Sequence, residues 1–250
     1  MKKTLTIFIL ILTLFSCNNP IKESDALLKN QQALEFVDQA QYDQAINSLK
    51  EAIKIPNLSD DTKGMLYRNT AITYYEMMEI DSSITYYQLA ADIYPKDSYG
   101  YLTNLADVKT YTDKTDEAIV LLEKAVKLKP NESVANNSLG LIYLGEFGIE
   151  YFDPNKALPF NLKAFEIKND RITEYVLGEN YIELENYEKA RYHYLRLYKK
   201  YPDIDDIGYQ LGVIEYLDGN KGKADEYFNE LINKNPELIF AIDMFKVINK

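Results

Sequence analysis

The chain of 250 residues contains no tryptophan, one cysteine (Cys17) and one histidine (His193). Zinc sites and Cys–His nucleophilic pairs need more ligands or thiols than these two residues supply. The ten glycines form no loop with phosphate-binding spacing. We therefore expect no catalytic residue, no metal site, no cofactor and no small-molecule substrate, and we predict that the chain is not an enzyme.

Positive charge is also scarce, because 28 Lys and Arg residues are set against 39 Asp and Glu residues, which gives a formal net charge of −11. A surface of this sign repels phosphate backbones, so nucleic acid is not an expected partner. Acidic pairs such as Glu183 with Glu185 fall at predicted helix ends and turns. Carboxylates at those positions are typical of helix capping rather than of a hydrolase centre.

The one long apolar run extends from Leu5 to Phe15 and follows Lys2 and Lys3. As a helix it would span about 17 Å, against a hydrocarbon core of about 30 Å, so a membrane-spanning anchor is disfavoured. A basic tip followed by a short apolar run is typical of a secretory signal peptide. We predict that residues 1–16 are such a peptide and are removed.

The residues that end this run, Leu14 to Cys17, resemble a bacterial lipobox. The resemblance implies that Cys17 is lipidated and that the acyl chains are the only membrane contact, with residues 17–24 as a tether. Asn18 and Asn19 follow Cys17, and neither is the aspartate that resembles an inner-membrane retention signal. We therefore expect a lipid-anchored protein of the bacterial cell envelope, at the outer membrane and facing the periplasm.

Small residues recur at intervals of 33 to 39 residues along the rest of the chain. These are Ala45, Ser83, Ala118, Ala157, Ala190 and Ala224. A second series precedes the first by twelve residues, or by seventeen in the fourth case: Ala33, Ala71, Ala106, Gly140, Gly178 and Gly212. Two small residues in each period predict two helices that pack closely against each other.

Further columns follow in phase, and prolines stand at equivalent places near the ends of four periods: Pro95, Pro130, Pro202 and Pro236. The period and these columns resemble the tetratricopeptide repeat, a helix-turn-helix unit of about 34 residues. The resemblance implies an all-α fold, a right-handed α-solenoid of about six repeats within residues 25–250. We place the repeats at 26–62, 64–97, 99–132, 133–170, 171–204 and 205–238, followed by a capping helix at 239–250.

The fourth repeat differs from the others, because five extra residues separate its two small positions. With Gly145 and Gly148 in the insert, it resembles a Sel1-like repeat, which has a longer turn between its helices. Asp153 and Pro154 predict the N-cap and first residue of the second helix. Pro159 falls inside that helix and is expected to bend it.

The tetratricopeptide resemblance implies that the first helix of each repeat lines a concave groove for a protein or peptide partner. The implied groove residues are Arg68, Tyr75, Tyr111, Asn137, Leu141, Tyr175, Glu179, Glu183, Tyr209 and Tyr216, with Asp206 also on this face. The acids favour a basic or polar peptide, and tyrosine suits recognition. Composition explains the tyrosines equally well, because many of the 22, such as Tyr181 and Tyr194, occupy helix-packing positions.

Two other features bear on where a partner binds. The loop from Phe147 to Phe152 is an alternative contact face, and His193 is expected to be a solvated residue that faces outward. Asn69 matches one place of the clamp that binds chaperone tails. The cationic places of that clamp hold Asn30, Gly100 and Asn104 instead, so the clamp is absent. The favoured function is an envelope scaffold or adaptor. A pilotin-like lipoprotein that assists secretin assembly is the alternative, and a cell-wall enzyme is a distant third.

Overall fold

The computed structural model describes residues 20–249, and within them all regular structure is helical, with no strand. The thirteen α-helices are α1 (Pro20–Asp38), α2 (Tyr42–Ile53), α3 (Asp60–Glu76), α4 (Ile80–Ile93), α5 (Tyr99–Thr110), α6 (Thr115–Leu128), α7 (Ser133–Tyr143), α8 (Pro154–Ile167), α9 (Arg171–Glu183), α10 (Tyr187–Lys200), α11 (Asp205–Leu217), α12 (Lys221–Lys234) and α13 (Ile239–Ile248). The predicted signal peptide (1–16) and residues 17–19, which include Cys17, lie outside the described residues, whereas residues 20–24 of the predicted tether (17–24) belong to α1. None of the described helices combines the length and apolar character needed to cross a bilayer.

The helices group into two compact bodies. The N-terminal body ends at Pro95 and contains α1 to α4, and the C-terminal body begins at Lys96 and contains α5 to α13. Within each body, consecutive helices pair as hairpins, α1 with α2 and α3 with α4, then α5 with α6 through α11 with α12. The all-helical, helix-turn-helix organisation predicted from the period is confirmed. An uninterrupted solenoid across Pro95 stays a prediction.

In the fifth and sixth repeats the small residue of the first helix faces one large aromatic residue of the second helix, as the spacing predicts. A Cβ added at Gly212 would lie 2.4 Å from the ring of Phe228, and one at Gly178 would lie 2.7 Å from the ring of Tyr194. Both aromatic residues are fully buried. Because a real Cβ does not approach another atom this closely, glycine is what lets the two helices of these hairpins approach each other.

The turn inside every repeat contains one residue with left-handed backbone geometry. These residues are Ala40, Met78, Asp113, Gly145, Glu185 and Gly219, with φ between 54° and 85°. In the fifth repeat the backbone N–H of Asn186 donates to the carbonyl of Tyr181 at 2.8 Å, which closes the end of α9. This is the usual way for a helix to end at a left-handed residue, and only two of the six positions are glycine.

The insert of the fourth repeat is an ordered loop. It contains Gly145 and Gly148 with positive φ and a 3-10 helix at Ile149–Tyr151. The Asp153 side chain accepts a hydrogen bond from the Lys156 backbone at 3.0 Å, so the predicted N-cap is confirmed. Helix α8 runs without interruption from Pro154 through Pro159 to Ile167.

Candidate functional site

The ten predicted groove residues divide between the two bodies. Arg68 and Tyr75 lie on α3 of the N-terminal body, where the Arg68 guanidinium lies 5.4 Å from the centre of the Tyr87 ring. The other eight lie in the C-terminal body, on or at the ends of α5, α7, α9 and α11: Tyr111, Asn137, Leu141, Tyr175, Glu179, Glu183, Tyr209 and Tyr216. Since each body is described by itself, a single face shared by all ten stays a prediction.

Two of these eight residues meet side chains of α11. Tyr175 and Glu179 are four residues apart on α9, and Asp206 and Gln210 are four apart on α11, so each pair shares one face of its helix. The Gln210 side-chain amide donates to the Tyr175 hydroxyl oxygen at 3.2 Å. Together with Tyr194 of α10, these residues form what we call the acid–tyrosine pocket: Tyr175, Glu179, Tyr194, Asp206 and Gln210.

Glu179 is the electrostatic centre of the acid–tyrosine pocket. Burial raises the pKa of its carboxyl group to about 8, and the nearby negative charges of Asp206, Glu146 and Glu183 act in the same direction. Burial, Glu179 and Asp206 likewise raise the pKa of the Tyr175 hydroxyl. Glu179 is thus a half-buried acid with three exposed carboxylates nearby, and both its burial and these charges disfavour its ionised form.

Tyr194 is the fully buried member of this group of residues. Its ring meets the ring of Tyr175 edge-on, with the centroids 5.3 Å apart. Its hydroxyl has no hydrogen-bond partner of normal geometry, although Tyr175 and Glu179 lie beside it and burial raises its pKa. A buried hydroxyl without a partner is costly and rare, so this group is an available donor beneath Glu179.

Two other buried acids of the C-terminal body show how unusual Glu179 is. Glu215 is bound by Arg191 at 2.9 Å and by Lys223 at 2.6 Å. Glu174 contacts Arg196 at 3.1 Å. Within residues 20–249, by contrast, no Lys, Arg or His forms an ion pair with Glu179. The fold neutralises these two buried acids with its own cations but leaves Glu179 without a counter-ion.

The expectation that His193 faces solvent is wrong. The imidazole is buried, stacks on the Tyr181 ring with a centroid distance of 5.7 Å, and has Nδ1 3.2 Å from the Glu174 carboxylate. Burial lowers its pKa although Glu174 acts in the opposite direction. His193 occupies an interior position on α10 because that face of the helix packs on α9, which carries both Glu174 and Tyr181.

Several predicted groove residues pack elsewhere. Tyr216 is buried and donates to the carbonyl of Lys246 at 3.2 Å, so α13 covers it. Tyr209 contacts the rings of Phe228 and Phe245, with centroids 5.8 and 6.3 Å apart. Tyr111 meets the ring of Phe147 edge-on at 5.6 Å. These three tyrosines therefore pack against other parts of the C-terminal body. Such packing roles are what we expect if composition, and not partner binding, explains some of the tyrosines.

On α7, the remaining predicted residues Asn137 and Leu141 are half-buried. The side-chain oxygen of Asn137 is buried and has no hydrogen-bond partner. Glu183, at the end of α9, is exposed. Sequence reasoning placed Asp206 on the groove face but assigned Tyr194 to helix packing alone. The signal for Tyr194 was its position sixteen residues after Gly178, which brings it directly under α9.

The acids of this region do not form a metal site. Among residues 20–249 there is no group of three or more His, Cys, Asp or Glu side chains placed to hold a metal ion. What the acid–tyrosine pocket offers is one partly buried carboxylate without a counter-ion, a second carboxylate and two phenol groups. Such a set of groups suits the binding of a positively charged or hydrogen-bonding side chain.

Comparison with known proteins agrees with the helical repeats. Family models of the tetratricopeptide repeat match residues 99–132, 174–203 and 206–237. The curated TPR repeat-containing protein MJ1428 of Methanocaldococcus jannaschii is 30% identical over 136 residues, which cover 53% of this chain and 23% of the relative. The chain thus spans about a quarter of the length of that relative.

Solved structures show the same fold at low sequence identity. The Cut9–Hcn1 assembly of the APC/C has a chain that is 15% identical, with a TM-score of 0.65 and coverage of 92% of this chain and 43% of that one. YrrB, described as a TPR protein with an unusual peptide-binding site, is 20% identical, with a TM-score of 0.53 and coverage of 79% and 97%. Residues 99–132, 174–203 and 206–237 thus match the tetratricopeptide repeat, and the described residues fold into all-helical helix-turn-helix units.

Proposed function

We propose that the chain is a non-enzymatic scaffold that binds a segment of a partner protein on the face of the C-terminal body formed by α9 and α11. The observation that carries this proposal is the acid–tyrosine pocket, in which Glu179 has no counter-ion and the Tyr194 hydroxyl has no partner. Polar groups that a fold buries without a partner are costly unless a ligand satisfies them.

Two further points support a binding role. Both helices belong to segments that match tetratricopeptide-repeat models, and proteins with these repeats are generally scaffolds for protein interactions. The structural neighbour YrrB is itself a repeat protein with a peptide-binding site. The acids around Glu179 favour a segment that is basic or polar.

We also propose that the scaffold is lipid-anchored through Cys17 in a bacterial cell envelope, at the outer membrane and facing the periplasm. The support is the sequence itself: Lys2 and Lys3, the apolar run and the lipobox-like Leu14 to Cys17. Replacing Cys17 by Ala is expected to abolish metabolic labelling with palmitate and to leave unprocessed precursor. Correctly processed, unlabelled protein from this variant would contradict the anchor.

Site-directed photo-crosslinking tests the binding face in the full-length chain, expressed in cells and kept in its membranes. A benzophenone amino acid replaces the exposed Asp206 of the pocket, and in a matched variant it replaces the exposed Tyr192 of α10. We expect discrete crosslinked protein bands from position 206 and none of the same mass from position 192. Equal bands from both positions, or bands from position 192 alone, would place the interaction on another surface.

A further inference from the structure

We propose that the acid–tyrosine pocket receives one cationic side chain of the bound segment, a lysine or an arginine, with the Glu179 carboxylate as its counter-ion. This inference rests on the proposed function and adds the chemistry of the residue that the partner must present. It follows from the way the C-terminal body treats its buried acids. Glu215 and Glu174 each have internal cations at 2.6 to 3.1 Å, and Glu179 has none among the described residues.

The surroundings of Glu179 favour a cation over a neutral or acidic guest. Asp206, Glu146 and Glu183 come from three different segments, namely α11, the loop after α7, and α9, and all three act on Glu179 electrostatically. A single positive charge placed among these acids gains attraction from each of them. An anionic guest would be repelled by Asp206, Glu146 and Glu183, and it would disfavour the ionised form of Glu179 further.

Two phenol groups, those of Tyr175 and Tyr194, lie near Glu179 and can donate hydrogen bonds to it once it is ionised. The Tyr175 oxygen accepts from Gln210 at 3.2 Å, so its own O–H proton points elsewhere. The Tyr194 hydroxyl is fully buried and has no partner. Both hydroxyls lie near Glu179 and are not used up by the contacts described above, so each is free to donate to it when it is ionised. Hydrogen bonds to an ionised acceptor are about twice as strong as those between neutral groups, so these donors favour the ionised form of Glu179.

Selection from a random library of phage-displayed dodecapeptides on the full-length chain in detergent micelles tests the inference. We expect the enriched peptides to share a Lys or Arg at one fixed position. Glu179→Gln is expected to remove that enrichment and to weaken the selected peptides about tenfold or more, because it leaves a cation without its counter-ion. Glu226→Gln, which removes an exposed acid on α12, is the matched control and is expected to change their affinity less than about threefold.

The outcomes separate the two proposals. Enriched peptides that lack a fixed cation, or that bind Glu179→Gln equally well, would overturn the cation pocket and leave the binding scaffold intact. A selection without enriched peptides would overturn both. Spermidine is the probe for a small cation from another source. Spermidine binding that depends on Glu179, together with peptide binding that does not, would mean that the pocket binds a free polyamine. That result would overturn the assignment to a peptide side chain.

Acetylation of the fixed lysine in a synthetic copy of the best peptide gives a second readout. The modification removes the charge and keeps most of the side-chain shape. We expect wild-type binding to fall by about tenfold and Glu179→Gln binding to stay within about threefold of its value for the unmodified peptide. The same loss in both proteins would mean that the lysine binds outside the acid–tyrosine pocket.

Discussion

Tyr194 of α10 occupies the space that any side chain at Gly178 of α9 would need, since a Cβ at residue 178 would lie 2.7 Å from Cε2 of the Tyr194 ring. This contact is part of the buried core. It also determines where the Tyr194 ring lies on the proposed binding face. The ring that fills the space beside Gly178 carries the hydroxyl that lies next to Tyr175 and Glu179. The repeat-defining glycine and the acid–tyrosine pocket are therefore two sides of one packing arrangement.

Gly178→Ala is expected to destabilise the chain by about 1 to 3 kcal/mol, because the added methyl group forces the buried Tyr194 ring and α9 apart. Gly222→Ala is the matched control, since nothing lies within 4 Å of a Cβ at that position in α12. It is expected to be neutral or to stabilise by up to about 1 kcal/mol through helix propensity. Urea unfolding followed by circular dichroism measures both. Equal stabilities for the two variants would contradict the packing argument.

Glu185, in the turn after α9, has φ at 54°, a left-handed geometry that costs a non-glycine residue on the order of 1 kcal/mol. We expect Glu185→Gly to stabilise the chain by about 0.5 to 1 kcal/mol, because glycine adopts this geometry without strain. Glu185→Ala removes the same carboxylate without relieving the strain and is expected to give no gain. The same unfolding measurement compares them. A similar gain from alanine would attribute the effect to charge.

The equivalent position in the sixth repeat provides the reverse test. Gly219 has φ at 85°, and nothing lies within 4 Å of a Cβ there, so backbone strain is separated from packing. Gly219→Ala is expected to cost about 1 kcal/mol. An unchanged free energy of unfolding for Gly219→Ala would show that the turn adjusts its backbone to the new residue. Backbone strain would then not explain a gain in stability from Glu185→Gly.

The next prediction concerns the contribution of the Arg191–Glu215 ion pair to stability. Arg191 meets the nearly inaccessible Glu215 carboxylate through Nε at 2.9 Å and Nη2 at 3.2 Å. Burial raises the pKa of Glu215, but the hydrogen bonds from Arg191, Lys223 and Asn220 outweigh it, so the net pKa lies below the usual value. Arg191→Met is expected to cost about 3 kcal/mol at pH 7, because it leaves a buried charge with fewer partners.

The sign of the pH dependence follows from the lowered pKa of Glu215. Its stabilisation is present above the unfolded-state pKa of about 4.5 and is lost as the pH falls through the folded value. The cost of Arg191→Met is therefore expected to shrink in acid. Lys124→Met, which breaks the exposed pair with Asp97, is expected to change the free energy of unfolding much less than Arg191→Met does at pH 7. Equal costs for the two variants at pH 7 would contradict the special role of Arg191.

The helix-turn-helix repeats were predictable from the sequence because one physical requirement, close helix packing, recurs at the same positions. Gly178 and Gly212 face Tyr194 and Phe228 as their spacing requires. The side-chain environment was less predictable. His193 was expected at the surface, yet it is buried, because its partners Glu174 and Tyr181 lie nineteen and twelve residues away on the preceding helix. A helical period predicts on which face of its helix a residue lies. It does not predict which side chain of another helix will form the contacts that offset the cost of burying that residue.

The acid–tyrosine pocket was predicted only in part for the same reason. The resemblance to tetratricopeptide repeats placed Tyr175, Glu179 and Asp206 on one face, and the structure brings the three together. It also placed Tyr216 there, but α13 covers that residue. Whether a carboxylate has a counter-ion depends on long side chains from other helices, such as Arg191 and Arg196. Residue spacing does not determine where those side chains point.

Glu179 gives the last prediction, which concerns stability and pH. Its pKa is raised from the 4.5 of an ordinary glutamate to about 8, so its contribution to stability is fully present below pH 4.5 and is lost as the pH rises through about 8. The groups that face it are Glu146, Tyr175 and Glu183, with Tyr194 and Asp206 from the neighbouring helices. Glu179→Gln keeps the shape and removes the titration. We expect it to be about 2 kcal/mol more stable than the wild type at pH 9 and equally stable at pH 5.

Unfolding by urea at pH 5, 7 and 9 measures this difference, with Glu226→Gln as the control because its carboxylate is exposed. The control is expected to follow the wild type at each pH. A cationic peptide should reverse the order at pH 9, because it binds the ionised Glu179 and stabilises the wild type, whereas Glu179→Gln gains little. A wild-type chain that keeps its full stability at pH 9 without peptide would show that Glu179 ionises without strain, and the carboxylate would then need no counter-ion from a partner.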